Sequence, residues 1–151
     1  MNKKVDAVRE RFIEDQGLRS QGEGLPRIAG RMLGLLIFDG RPCSFGELAT
    51  ELQVSRASIS TNARLLETLG AIERTSVPGD RQDYFQLSED PYARILDGAL
   101  ERAEKARQTI ERSRRALPAT GHAGPRRRLQ DYESFYANVV EALTEARDRS
   151  R

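Results

Sequence analysis

Advancing each residue of the stretch 55–69 by about 100° puts Ala57, Ser60, Thr61, Arg64 and Thr68 on one side of a helix, with Arg56 at its edge and Ser55 as its N-cap. This set of residue types suits one kind of chemistry. Short side chains let a backbone approach the floor of a DNA groove, hydroxyls bond phosphate or base edges, and an arginine can fork onto guanine. The helix N-terminus adds free amides and a positive dipole end for phosphate. Ser58, Ile59, Asn62, Ala63, Leu65, Leu66 and Leu69 gather on the opposite side, and no acidic residue stands on the outer face before Glu67. Arg74 and Arg81 extend the same chemistry to a following hairpin with the tip Pro78-Gly79-Asp80-Arg81, where Asp80 is expected to pin Arg81 by a salt bridge.

Other chemistries find no support. The one histidine, His122, lies far in sequence from the one cysteine, Cys43, so neither a zinc-type ligand cluster nor an internal disulfide is expected. No histidine neighbours a Ser or Cys nucleophile, no Gly-rich loop is shaped to cradle phosphate, and no carboxylate pair marks a pocket. Catalytic residues, metal and cofactor are therefore not expected, and the chain does not read as an enzyme. Cys43, just before a helix start, reads as a small buried hydrophobe, with a redox-sensing thiol as the alternative.

The elements that must position the outer face follow from apolar spacing and caps. Val5, Val8, Phe12 and Ile13 predict a helix over 3–16 that Gly17 ends. Pro26 suits the first turn of a second helix, whose apolar residues Ile28 to Ile37 close at Asp39-Gly40; Gly30 and Gly34 on it would admit a close neighbour. Ser44-Phe45-Gly46-Glu47 matches a capping box, in which Ser accepts from the third amide and Glu reaches back. The short helix begun there ends near Leu52, Gln53-Val54 turns the chain, and the helix capped by Ser55 stops at Gly70. Leu48, Ala49, Val54 and Ile59 are the small and apolar residues that lock two helices across such a turn. Residues 71–76 and 82–87 then predict the two strands of the hairpin.

Beyond Pro91 a helix of about 26 residues, roughly 39 Å, carries Tyr92, Leu96, Ala99, Ala103, Ala106, Ile110, Ser113 and Leu117 as a heptad seam. A linker over 118–125 leads to a last helix, about 126–147, with Tyr132, Phe135, Tyr136, Val139, Val140 and Leu143 on one stripe. The predicted fold class is mainly α with a small β-hairpin wing: a winged helix-turn-helix over 25–90, flanked by dimerisation segments 1–24 and 91–151. The long helix is too long for so small a domain to bury, so a homodimer, an intrachain hairpin of the last two helices, or both must cover it.

Composition bounds this picture. The 151 residues suffice for one domain with appended helices, and the balance of 38% hydrophobic to 32% charged residues suits helices with much exposed surface. No apolar run reaches the roughly 20 residues needed to cross a bilayer, and the N-terminus lacks the apolar core of a signal peptide, so a cytoplasmic location without membrane contact is expected. Charge placement speaks against DNA: residues 25–90 hold seven Arg against nine Asp or Glu, while 102–128 hold nine Lys or Arg against two Glu. A DNA-binding core is usually basic, because phosphate attraction supplies non-specific affinity.

The segment from Gly46 to Arg74 resembles MarR-type winged-helix regulators, and more closely their GbsR-like branch. The likeness rests on Val54-Ser55, Ser58, Ser60, Asn62, Arg64 through Leu69-Gly70, Gly24-Leu25-Pro26-Arg27 and Gly30-Arg31. It implies a homodimer held by terminal helices that binds a pseudo-palindromic operator in double-stranded DNA and usually represses transcription. A small-molecule effector is also implied for such families, with no ligand residues to carry over; Tyr132, Phe135 and Tyr136 read as core before they read as an aromatic pocket for a cation. The other class weighed is a winged-helix protein-interaction module without direct DNA binding, which the acid-rich core would suit.

Overall fold

A computed structural model describes residues 2–151. The chain forms six helices and three short strands among these residues: α1 (Lys3–Gly22), α2 (Arg27–Asp39), β1 (Cys43–Ser44), α3 (Phe45–Leu52), α4 (Arg56–Thr68), β2 (Ile72–Thr75), β3 (Tyr84–Leu87), α5 (Pro91–Arg115) and α6 (Ala123–Arg149). They divide into two compact units, Met1–Pro91 and Tyr92–Arg151. The chain is mainly helical with a small antiparallel sheet as its wing, the winged-helix fold predicted.

In the first unit α1 starts at the N-cap Asn2, whose side chain accepts from Lys4 N–H, and continues through Gly17 to Gly22. Gly17 does not terminate it, contrary to expectation. A β-carbon there would lie 2.6 Å from Arg31 Cγ and 3.1 Å from the Arg27 carbonyl, so this glycine serves the close approach of α1 to α2. Gly30 and Gly34 do the same from the other helix. A β-carbon on Gly30 would meet the Gln16 carbonyl at 2.6 Å, and one on Gly34 would stand 3.3 Å from Ile13 Cα. The stop falls instead at Gly24, with φ at 85°, followed by Pro26, which takes the N-cap of α2 rather than its first turn. Gly40, at φ 64°, closes α2 as its spacing predicts.

Met32, Leu35, Leu36, Leu48, Ile59 and Phe85 make the buried core of this unit. The sheet has the order β1-β3-β2, all antiparallel, with Cys43 opposite Phe85 and Arg74 opposite Phe85 on its other edge. β1 lacks a sequence signature, because two residues show no alternation. Its burial explains Cys43. The thiol is 2% exposed and packs as a hydrophobe, and that burial pushes its pKa up.

In the second unit α5 and α6 form an antiparallel hairpin. Arg114 pairs with Glu133 at 2.6 Å near the bend, and Asp97 pairs with Arg151 at 2.8 Å near the open end. α6 begins earlier than its spacing suggests, because Pro125 sits in its first turn, where no N–H is needed. On the heptad seam Ala103 and Ile110 are buried, while Tyr92 and Ser113 are exposed. α6 buries no residue, and Tyr132 and Phe135 stand 51% and 55% exposed. Tyr136, Val139, Val140 and Leu143 of the same stripe are half-buried, so the aromatic stripe does not form the buried core its spacing predicts.

Candidate nucleic-acid interface

Ser44 Oγ accepts from Glu47 N–H at 3.1 Å and starts α3. Only half of the expected capping box forms, since the Glu47 carboxylate is drawn to Arg41 at 2.9 Å instead of reaching back. Gln53, at φ 53°, turns the chain, and Val54 N–H donates to the Ala49 carbonyl. Ser55 Oγ then accepts from Ser58 N–H at 3.1 Å and launches α4. Leu48 and Ile59, both fully buried, set the crossing of the two helices.

α4 has the two faces its spacing predicts. Ile59, Asn62, Ala63 and Leu66 are buried, whereas Ser55, Arg56, Ala57, Thr61, Arg64 and Thr68 are exposed and Ser60 is half-buried beside them. Thr61 and Thr68 donate their hydroxyls to the carbonyls of Ala57 and Arg64, one turn back. Their oxygens can still accept a hydrogen bond. Six of the eight candidate residues thus share one helix surface, from Ser55 to Arg64.

At the wing Gly79, at φ 86°, makes the turn, but Asp80 does not pin Arg81. Its carboxylate accepts from the Tyr84 hydroxyl at 2.6 Å and from Gln82 N–H at 2.9 Å, and it forms no ion pair with the neighbouring guanidinium. These bonds, Tyr84 first, hold the Asp80 carboxyl below its ordinary range and push the Tyr84 phenol up. Tyr84 therefore braces the tip, a role with no sequence signature because its partner is four residues away across a turn. Arg74 lies apart from the outer face of α4. Its guanidinium bridges Glu67 at 3.2 Å and Asp83 at 3.3 Å and stands over the Phe85 ring. It ties α4 to the wing.

The ion pairs show where the unpaired basic charge stands. Of the seven arginines in 25–90, Arg27 and Arg31 pair with Glu14, Arg41 with Glu47, and Arg74 with Glu67 and Asp83. Arg56, Arg64 and Arg81 are the three without a carboxylate partner among the described residues. The acid-rich unit spends much of its acid on internal pairing, and its unneutralised guanidiniums stand on the candidate surface. Among the described residues no group of three or more His, Cys, Asp or Glu is placed to hold a metal ion, and no helix is long and apolar enough to cross a membrane.

Comparison with known proteins bears on the same region. A family model described as MarR family matches residues 23–83. The HTH-type transcriptional regulator MmpR5 of Mycobacterium tuberculosis is 38% identical over 141 residues, 91% of this chain and 84% of that protein. The putative HTH-type transcriptional regulator YvaV of Bacillus subtilis is 24% identical over 92 residues, 61% of this chain and 52% of that protein. A crystal structure of a transcriptional regulator, 33% identical, superposes with a TM-score of 0.82 over 94% of this chain and 97% of the other.

Proposed function

The chain belongs to the MarR family of transcriptional regulators, and we propose that it works as a homodimeric repressor that reads a pseudo-palindromic DNA operator through the outer face of α4. The observation that carries this reading is the set of unpaired arginines: Arg56 and Arg64 on α4 and Arg81 at the wing tip. Ser55, Ala57, Ser60 and Thr61 fill the space between them with side chains short enough for close approach. In this reading Arg64 contacts a base edge in the major groove, Arg56 and the hydroxyls clamp it, and Arg81 meets the flanking phosphates. Arg74, an expected contact, enters through its hold on the wing; to reach a phosphate it must exchange Glu67 and Asp83 for it.

Assembly follows from uncovered apolar surface. A two-fold mate would cover the α6 stripe and the exposed Val5 and Val8 of α1. We assign the chain to the GbsR-like branch on Gly24-Leu25-Pro26-Arg27 and Gly30-Arg31, where Gly30 makes the helix crossing and Arg31 Nη1 donates to the Leu52 carbonyl at the end of α3. The place of work is the cytoplasm, where the DNA lies, and regulation by a small-molecule effector would fit the family.

Mapping bound DNA genome-wide in cells, followed by titration of the recovered sequences, tests the function. The expected result is a bipartite site with two-fold related half-sites and affinity that falls steeply with salt. Recovery of no preferred sequence, with a stable protein partner instead, would overturn it in favour of an interaction module.

A further inference from the structure

We infer that Phe45 and Gly46, at the start of α3, are positioning residues that aim Arg56 toward DNA, an inference that rests on the DNA-binding reading above. Arg56 is exposed and has no carboxylate partner among the described residues, yet its guanidinium carbon stands 5.9 Å from the Phe45 ring centroid, within reach of a cation–π attraction. The platform itself is fixed from two sides. Phe45 N–H donates to the Asp83 carbonyl at 3.1 Å, joining the start of α3 to the root of the wing. Its ring packs against the fully buried Phe85 at 5.9 Å and 48°, and Phe85 in turn carries Arg74 on its ring. Recognition helix, wing and α3 thus meet at one aromatic pair.

Gly46 supplies the clearance. A β-carbon there would lie 3.3 Å from Arg56 Nη2 and 3.5 Å from Gln82 Oε1, tight enough on the arginine side to turn the guanidinium away. No comparable ring lies under Arg64 or Arg81 among the described residues, so Arg56 differs from them in arriving at DNA already oriented. Preorganisation reduces the ordering cost of a contact.

The test is a double-mutant cycle on operator binding by the full-length protein at fixed salt. Phe45→Leu is expected to weaken binding about two- to fivefold while leaving Tm within a few degrees, and to have no effect in the Arg56→Gln background. Phe45→Tyr keeps wild-type affinity, and Gly46→Ala weakens binding only when Arg56 is present. In the DNA-free protein, the Arg56 side-chain resonances should lose their ring-current shift in Phe45→Leu. Equal weakening of binding by Phe45→Leu with and without Arg56 would overturn the inference, as would Arg56 resonances that do not move. A wild-type chain that bound no duplex, with the ring-current shift intact, would overturn the DNA-binding reading instead, and the inference would fall with it.

Discussion

Arg64 and Arg81 occupy equivalent electrostatic situations, exposed and without carboxylate partners among the described residues, but they are expected to fail differently when removed. Arg64→Ala should cost about 1–3 kcal/mol of operator affinity and relax preference at one base position, read by titration against single-base variants of the site. Arg81→Gln should weaken all duplexes alike and reduce the slope of log K against log salt by about one. A half-buried ion pair sets one pH response. Arg9 grips Asp39 through two hydrogen bonds at 2.7 and 2.8 Å, and this bonding holds the Asp39 carboxyl below its ordinary value despite burial. A depressed folded pKa contributes stability above the unfolded value and loses it as the pH falls through the folded one. Wild type should therefore exceed Asp39→Asn by roughly 1–3 kcal/mol above about pH 5, and the difference should begin to shrink near about pH 4 and close only as the pH falls further, through the depressed value of the folded state, as measured by urea unfolding across pH. At this scale spacing alone displayed the outer face of α4. The partners of Asp80, Glu47 and Arg74 stayed hidden because ion pairs depend on which elements the fold brings together, and adjacency in sequence does not decide that.

The α1 and α2 crossing shows the same division between local and tertiary information. Caps and turn glycines are local, so Ser44, Ser55, Gly40 and Gly70 mark their helix ends correctly from sequence. Gly17 misleads because a glycine that breaks a helix and a glycine that admits a neighbour look alike until the neighbour is seen. β1 escapes notice for a related reason: Cys43 and Ser44 become a strand only through pairing with Phe85 and Tyr84. The crossing makes a contrast that can be measured. Gly30→Ala forces a β-carbon against the Gln16 carbonyl and should destabilise by about 1–3 kcal/mol, whereas Gly22→Ala, with nothing within 4 Å, should be neutral or stabilise by up to about 1 kcal/mol in thermal unfolding.

For the whole molecule, the decisive feature is apolar surface left uncovered on α6, where the rings of Phe135 and Tyr136 meet edge to face at 5.2 Å while Tyr132 and Phe135 remain half exposed. The stripe was legible as a periodicity, but its partner is not encoded in the chain's own contacts. Tyr132→Glu with Phe135→Glu should convert a dimer into a monomer in sedimentation velocity without unfolding the first unit. Loss of the second half-site should then lower operator affinity by well over tenfold. In the proposed assembly two copies of α4 present Arg64 to DNA from paired outer faces. Hydroxyl-radical footprinting of wild type and Arg64→Ala on a mapped site tests it most directly. The predicted result is two protected patches related by a two-fold axis, about one helical turn apart or a multiple of it, both weakened in Arg64→Ala. A single unpaired patch, or a pattern that Arg64→Ala leaves unchanged, would contradict it.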